Sequence, residues 1–348
     1  MWNYGSVCAN GLLLLSLLSI SGYHTAEIPW ELNDGHPSTT DAAESGSFFE
    51  RSSDSELKPW SYMYGQMVGV GANGPQYAIG PSEWHTAYEA CGGQRQSPIH
   101  IEPAHFQANT GSPALKPLTF VDYDDAALND TWTFLNNGHS VQITASFITI
   151  PQLQGGDLPG KYIFKQAHLH WGSHDLVGSE HVINGRRYPV EIHLVHQKKT
   201  LPDATAANFS DGLAVVGVLG ELSAETHPLF DSIIHALELI TSPSTTASVP
   251  LPGFTLSDLV PRNHSYVRYL GSLTTPPCSE AVIWSVLPNT LPISQNQLNA
   301  LRRLWSKTKR SAKNNANAAV VLEDNFRPLQ PLHGRTPQYF YDATEAQI

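Results

Sequence analysis

Three histidines and two neighbouring polar residues fall on two short runs of alternating character, Lys165-Gln-Ala-His-Leu-His-Trp171 and Val190-Glu-Ile-His-Leu-Val195. Neutral imidazole is a good ligand for zinc, and a catalytic zinc takes three protein ligands while leaving its fourth tetrahedral position to water. Each ligand ring also needs its second nitrogen held by an amide, a carboxylate or a carbonyl. His168, His170 and His193 are the candidate ligands. Gln166, two residues before His168, and Glu191, two before His193, are placed to orient them. With 16 histidines in the chain, chance supplies roughly one His-x-His pair, so the pair at 168 and 170 carries weight only in company. His196 competes for the third place but stands three residues from His193, which on a strand turns it to the opposite face.

These side chains converge only if the two runs are strands lying side by side. Both runs alternate large apolar with polar residues at period two, which predicts strands and puts Gln166, His168 and His170 on one face. Glu191, His193 and Val195 likewise share a face. From Pro98 to Ile150 and from Leu213 to Leu219, similar short runs are broken by Gly, Pro and Asn turns. Val215-Val-Gly-Val-Leu219 is apolar throughout and predicts a central strand. Helical periodicity is confined to His227–Ile240 and Ile293–Lys307, and Pro243 to Pro252 reads as a surface loop. The expected fold class is α+β: a single domain on a large, mostly antiparallel twisted β-sheet with a few short peripheral helices.

Gln-x-His-x-His-Trp-Gly-Ser at 166–173, Ser-Glu-His at 179–181 and Glu-x-His-Leu-Val-His at 191–196 resemble the signature of the α-class carbonic anhydrases. Arg95-Gln-Ser-Pro98, Leu135-Asn-Asn-Gly-His139, Asp211-Gly-Leu-Ala-Val215, Gly271-Ser-Leu-Thr-Thr-Pro-Pro277 and Asn325-Phe-Arg-Pro328 extend the resemblance in family order. Together they cover residues 58 to 340. The resemblance implies reversible hydration of carbon dioxide to bicarbonate and a proton, by zinc-bound hydroxide, with possible side esterase activity. It implies Zn2+ on His168 Nε2, His170 Nε2 and His193 Nδ1, supported by Gln166, Glu191 and Asn325. Thr274, donating to Glu180, then orients the hydroxide. His139 shuttles the proton, and Tyr62, Asn137 and Gln142 order the waters between. Val195, Val215, Leu273, Thr275 and Trp284 form the substrate pocket. Taken singly, Thr274 is a turn residue, Glu180 a surface carboxylate, His139 a turn histidine and the pocket wall ordinary core. The alternative reading is a carbonic anhydrase-related binding or matrix module without catalysis, but such loss normally removes a ligand histidine, and all three stand here.

The family tyrosine aligns on Tyr62 if an insertion precedes Gly80-Pro-Ser-Glu-Trp84; a second alignment puts Gly69 there. An apolar content of 41% supports a sizeable core, and a formal charge of −11 with only 20 Lys and Arg argues against nucleic acid or an anionic membrane as partner. The apolar block Gly11–Ile20 is too short to span a bilayer and predicts a signal peptide over residues 1–22. Residues 23–57 read as an acidic Ser/Thr-rich lead-in or propeptide, residues 58–340 as the domain and 341–348 as a tail. The expectation is a secreted, extracellular protein. Cys8 leaves with the signal peptide, and the resemblance to extracellular members implies that Cys91 and Cys278 form a disulfide. Asn129-Asp-Thr, Asn208-Phe-Ser and Asn263-His-Ser are glycosylation sequons consistent with that route.

Overall fold

The computed structural model describes residues 59–63, 67–71, 74–102, 104, 115–224, 228–310 and 318–343. The expected signal peptide, the acidic lead-in and tail residues 344–348 lie outside the described residues. In chain order the strands are β1 (Met67–Gly71), β2 (Gly74–Tyr77), β3 (His100–Ile101), β4 (Leu118–Val121), β5 (Thr131–Asn136) and β6 (Val141–Ala145). They continue with β7 (Gln152–Gly155), β8 (Tyr162–Trp171), β9 (Val182–Ile183), β10 (Val190–Lys198), β11 (Leu213–Leu222) and β12 (Thr245–Pro250). The last are β13 (Tyr266–Gly271), β14 (Val282–Ile293), β15 (Trp305–Arg310), β16 (Ala318–Val321) and β17 (Gln338–Phe340). The α-helices are α1 (Pro228–Leu239) and α2 (Gln295–Leu301).

One 11-stranded sheet carries the domain, in the order β12-β5-β6-β8-β10-β11-β14-β13-β17, with β7 and β4 branching from β8. Its pairs are antiparallel except β11 with β14. The two histidine-bearing strands are the middle of this sheet, and the apolar run at 215–219 lies in β11 beside them, as its composition predicts. Both faces are covered at the centre. On one, Leu169, Ile192, Leu194, Val216 and Val218 share a core with Ile233 and Leu237 of α1 and Leu298 of α2. On the other, Val195, Val215 and Trp284 pack with Tyr269 and Leu273. Each such fully buried side chain contributes about 1.5–3 kcal/mol, so the strands that hold the histidines are among the most firmly anchored in the molecule.

Two local expectations are corrected. The predicted helix over Ile293–Lys307 is only Gln295–Leu301. Ser294 caps it in a reciprocal pair with Gln297, but Trp305 N–H is taken by Thr241 O at 2.8 Å and the chain turns into β15. The loop expected at 243–252 contains the edge strand β12, paired with β5 from Thr245↔Asn136 to Pro250↔Thr131. Its β-branched residues fit a half-buried edge, and its proline falls at the end of the strand, where a missing donor costs least. The described residues of the insertion after Tyr62 hold two strands: β1 and β2 pair antiparallel, and β1 joins β15 and β16 in a separate four-stranded sheet through Met67↔Lys309.

Candidate metal centre

Antiparallel pairing of β8 and β10 sets His168 opposite His193 and His170 opposite Glu191. Directly opposed residues share a face, so the three imidazoles meet. His170 Nε2 lies 3.1 Å from His193 Nδ1, which lies 3.3 Å from His168 Nε2. These contacts are not hydrogen bonds, because the protons are elsewhere. His168 Nδ1 is 3.0 Å from Gln166 Oε1, His170 Nδ1 is 2.7 Å from the Asn325 carbonyl, and His193 Nε2 is 2.7 Å from Glu191 Oε1. Each of those oxygens only accepts, so each ring donates outward and turns a bare lone pair inward. Burial holds His168 well below the usual histidine range, helped by His193 and His170, and lowers His170 as well. Neutral rings with converging lone pairs repel one another unless a cation sits between them. A tetrahedral zinc with bonds of 2.0–2.1 Å needs its nitrogens about 3.3 Å apart. The spacing fits the ion.

The support behind the rings is buried and continuous. Glu191 Oε1 also accepts from His181 Nδ1 at 2.6 Å, and its Oε2 accepts from His181 N–H at 2.8 Å. Burial alone raises the Glu191 carboxyl, but His181 and His193 beside it outweigh that and hold it well below the usual range. His181 Nε2 contacts the Tyr269 hydroxyl at 2.7 Å, which is 2.9 Å from Ser97 Oγ. Gly217 makes room for this carboxylate, since a Cβ there would lie 3.2 Å from Glu191 Oε1. Asn325 closes the other side: its carbonyl holds His170, and its side chain donates to the His139 carbonyl at 3.0 Å and accepts from Trp171 N–H at 2.7 Å.

Glu180 is fully buried, with Oε1 accepting from Arg327 N–H at 2.8 Å. Its Oε2 faces His170 Nε2 at 3.6 Å and His193 Nδ1 at 3.9 Å and has no hydrogen-bond partner. The Thr274-to-Glu180 hydrogen bond expected by resemblance is therefore not made in this structure. A buried carboxylate oxygen without a donor, facing two of the bare nitrogens, is a second mark of a site built around a cation and its ligands.

The family model of eukaryotic-type carbonic anhydrases matches residues 79–339. The chain belongs to this family. Carbonic anhydrase 7 of Mus musculus is 39% identical over 269 residues, 76% of this chain and 95% of the relative. Carbonic anhydrase 3 of Bos taurus is 38% identical over 258 residues, 74% and 93%. Carbonic anhydrase 12 of Homo sapiens is 41% identical over 226 residues, 64% and 61%. As a carbonic anhydrase the chain is a carbonate dehydratase, acting on carbon dioxide and bicarbonate in a zinc-dependent family, and His168, His170 and His193 form the cluster able to hold the metal.

Two cavities open from that cluster. In the first, Tyr62, Asn137, His139, Gln142 and Thr275 stand around His168 and His170. Gln142 arrives there by pairing opposite His168 across β6 and β8. Asn137 Oδ1 accepts from His139 N–H at 2.9 Å and Ser140 N–H at 2.8 Å, so it builds the turn that presents His139. Burial pushes the Tyr62 hydroxyl well above the ordinary tyrosine range, with Glu180 adding to the shift. Tyr62 thus occupies the cavity, while Gly69 lies in the β1 hairpin. In the second cavity Val195, Val215, Leu273, Thr274, Thr275 and Trp284 adjoin His168 and His193. Register explains that wall, since Val195 pairs with Val215 and Val215 with Trp284 along one row of the sheet.

Cys91 and Cys278 are joined in a disulfide buried with Ile79 and Trp84 beside the Thr274 loop. Sequence reasoning gave no role to His181, Tyr269 or Trp60. His181 was within a quoted motif, and its full burial is what exposes its role. Trp60 stacks on the His139 ring, with centroids 4.1 Å apart and planes at 16°; its only sequence signal was its place two residues before Tyr62. No helix of the described residues is long and apolar enough to cross a membrane.

Proposed function

We propose that this chain is a secreted zinc carbonic anhydrase that holds its metal on His168 Nε2, His170 Nε2 and His193 Nδ1 and passes the released proton outward through His139. The observation that carries this reading is the set of three bare lone pairs, with His193 Nδ1 3.1 Å from His170 Nε2 and 3.3 Å from His168 Nε2, each fixed by a donor bond on the far side of its ring. Bound there, zinc supplies the Lewis acid that makes water nucleophilic at neutral pH. Val195, Val215, Leu273 and Trp284 offer carbon dioxide an apolar wall beside His168 and His193 and keep bulk water from it. Glu180 Oε2, buried and without a donor, is free to accept a hydrogen bond from the Thr274 hydroxyl during turnover. The Thr274 oxygen is then left to accept from the attacking water and fix its direction. Gln166, Glu191 and Asn325 hold the three ligand rings in one tautomer.

His139 is half-buried and lines the first cavity, beside His168 and His170. Imidazole is the side chain whose ordinary titration falls between pH 5 and 8, which suits a carrier that must both take and release a proton. Tyr62, Asn137 and Gln142 line the way to it and order the connecting waters. Slow hydrolysis of activated esters uses the same attack on an acyl carbon. Secretion and processing of residues 1–57 draw support from the apolar block at 11–20, the Cys91–Cys278 bridge and the exposed sequon asparagines Asn129 and Asn208. Asn263 is less open, its side chain engaging Asp342 O, Ser265 N–H and Asn289.

The test is metal analysis coupled to carbon dioxide hydration. One zinc per chain, with activity lost on chelation and regained on adding zinc, is expected. A folded chain that retains zinc without hydrating carbon dioxide is instead a binding module.

A further inference from the structure

His139 faces two cavities rather than one. The one at the metal cluster, termed inner, holds His168, His170 and Gln142; the other, termed outer, is narrow and is lined by Ser61, Met63, Ser306, Leu322 and Glu323 and by none of the three ligand histidines. Both walls of the outer cavity are tied to the His139 turn. Ser306 Oγ donates to the Gly138 carbonyl at 3.1 Å, and Asn325, two residues beyond Glu323, donates to the His139 carbonyl at 3.0 Å. The ionisable side chains lining it are His139, Tyr62 and Glu323. Tyr62 is held protonated by burial, which leaves Glu323 as the base. Glu323 is half-buried, and no described residue donates a hydrogen bond to its carboxylate.

We propose that Glu323 takes the proton from His139 across the outer cavity and releases it to solvent, an inference that rests on the shuttle reading of His139. The His139 imidazolium gives up a ring N–H proton, directly or through a water, to a Glu323 carboxylate oxygen. His139 returns to its neutral form, and the carboxylic acid then ionises to bulk water or buffer. Burial, then the neighbouring Asp324 carboxylate, push the Glu323 carboxyl above the ordinary glutamate range, with Arg302 opposing them. A carboxylate shifted that way is a better match for an imidazolium donor than an exposed one. The exit thus runs from the metal-side cavity through His139 to a carboxylate on the segment after β16.

The experiment uses the full zinc-loaded chain and its E323Q, E323D, H139A and H139A/E323Q variants. Carbon dioxide hydration is followed at low and high imidazole, and the His139 ring is titrated by NMR. Glu323→Gln is expected to lower kcat roughly three-fold or more at low buffer, a fraction of the about 100-fold that a positioned acid–base group supplies. kcat/KM stays unchanged, imidazole restores the loss, and Glu323→Asp keeps part of the wild-type rate. Added to His139→Ala, Glu323→Gln costs nothing further. The His139 midpoint falls in Glu323→Gln, because its imidazolium loses a neighbouring carboxylate. Wild-type kcat in Glu323→Gln beside an impaired His139→Ala, equal falls in kcat and kcat/KM, or an unmoved His139 midpoint would overturn the inference while leaving the shuttle standing. An unimpaired His139→Ala would remove the shuttle reading itself, and Glu323 with it.

Discussion

Glu191→Ala removes three hydrogen bonds with one side chain. Its Oε1 accepts from His193 Nε2 at 2.7 Å and from His181 Nδ1 at 2.6 Å, and its Oε2 accepts from His181 N–H at 2.8 Å. All three residues are at most 1% exposed, so water does not replace those acceptors without rearrangement. With its outer nitrogen unclaimed, the His193 ring is free to rotate or to move its proton to Nδ1, where the inward lone pair is needed. Loss of such an orienting partner weakens metal binding about 10- to 100-fold, equivalent to about 1.4–2.7 kcal/mol. The fold suffers separately, since each stranded buried donor costs about 1–3 kcal/mol. Glu191→Gln divides the two effects. Its amide oxygen can keep both imidazole bonds, but its NH2 then meets His181 N–H, donor against donor. Glutamine should therefore retain more metal affinity than alanine while still lowering stability. Competition with a chromophoric zinc chelator measures the first quantity, and urea unfolding of the metal-free protein the second. Zinc affinity within two-fold of wild type in Glu191→Ala would refute the claim that this carboxylate sets the His193 ring.

The remaining predictions can be checked on purified protein. His139→Ala should lower kcat roughly 100-fold, the low end for loss of a positioned acid–base group, with kcat/KM nearly intact and partial rescue by imidazole in a stopped-flow assay; parallel falls without rescue would refute it. Replacing Cys91 and Cys278 by serine should cost about 2–5 kcal/mol, as for a native disulfide, read as a lower urea midpoint. His196 concerns acid stability. Burial lowers its pKa from 6.5 to about 4, against opposing bonds to the Ala214 and Leu194 backbone, and its Nε2 meets the buried Tyr123 hydroxyl. Both states are neutral above pH 6.5, and the unfolded chain takes up the proton first below it. Stability should therefore fall between pH 6.5 and 4, by about 3 kcal/mol in total. In His196→Phe that part of the slope should vanish from urea midpoints measured across the range, and an unchanged slope would show that His196 does not titrate there.

Part of the site is legible in local sequence because a strand alternates its side chains at period two. That rule alone puts Gln166, His168 and His170 on one face and Glu191 with His193 on another, and it turns His196 away. Spacing also marks each histidine's nearest support, since a residue two places along a strand is the next one on the same side. The family motifs add Thr274, Glu180 and His139 by resemblance. Tertiary structure decides how these pieces combine. The register His168↔His193 brings the two faces together, and a slip of one residue would send His193 into the core behind the sheet. Glu180 and Asn325 come from outside the strands, and only packing reveals that Glu180 Oε2 lacks a donor or that the Asn325 backbone, rather than its side chain, holds His170. The same holds for the segments that local pattern misjudged. Residues 305–310 follow a helix and carry basic residues, yet they become a strand because β1 and β16 offer edges to pair with. Side-chain direction along one strand follows from neighbouring residues, whereas strand partners and register are set by turns and cores that bring distant residues together.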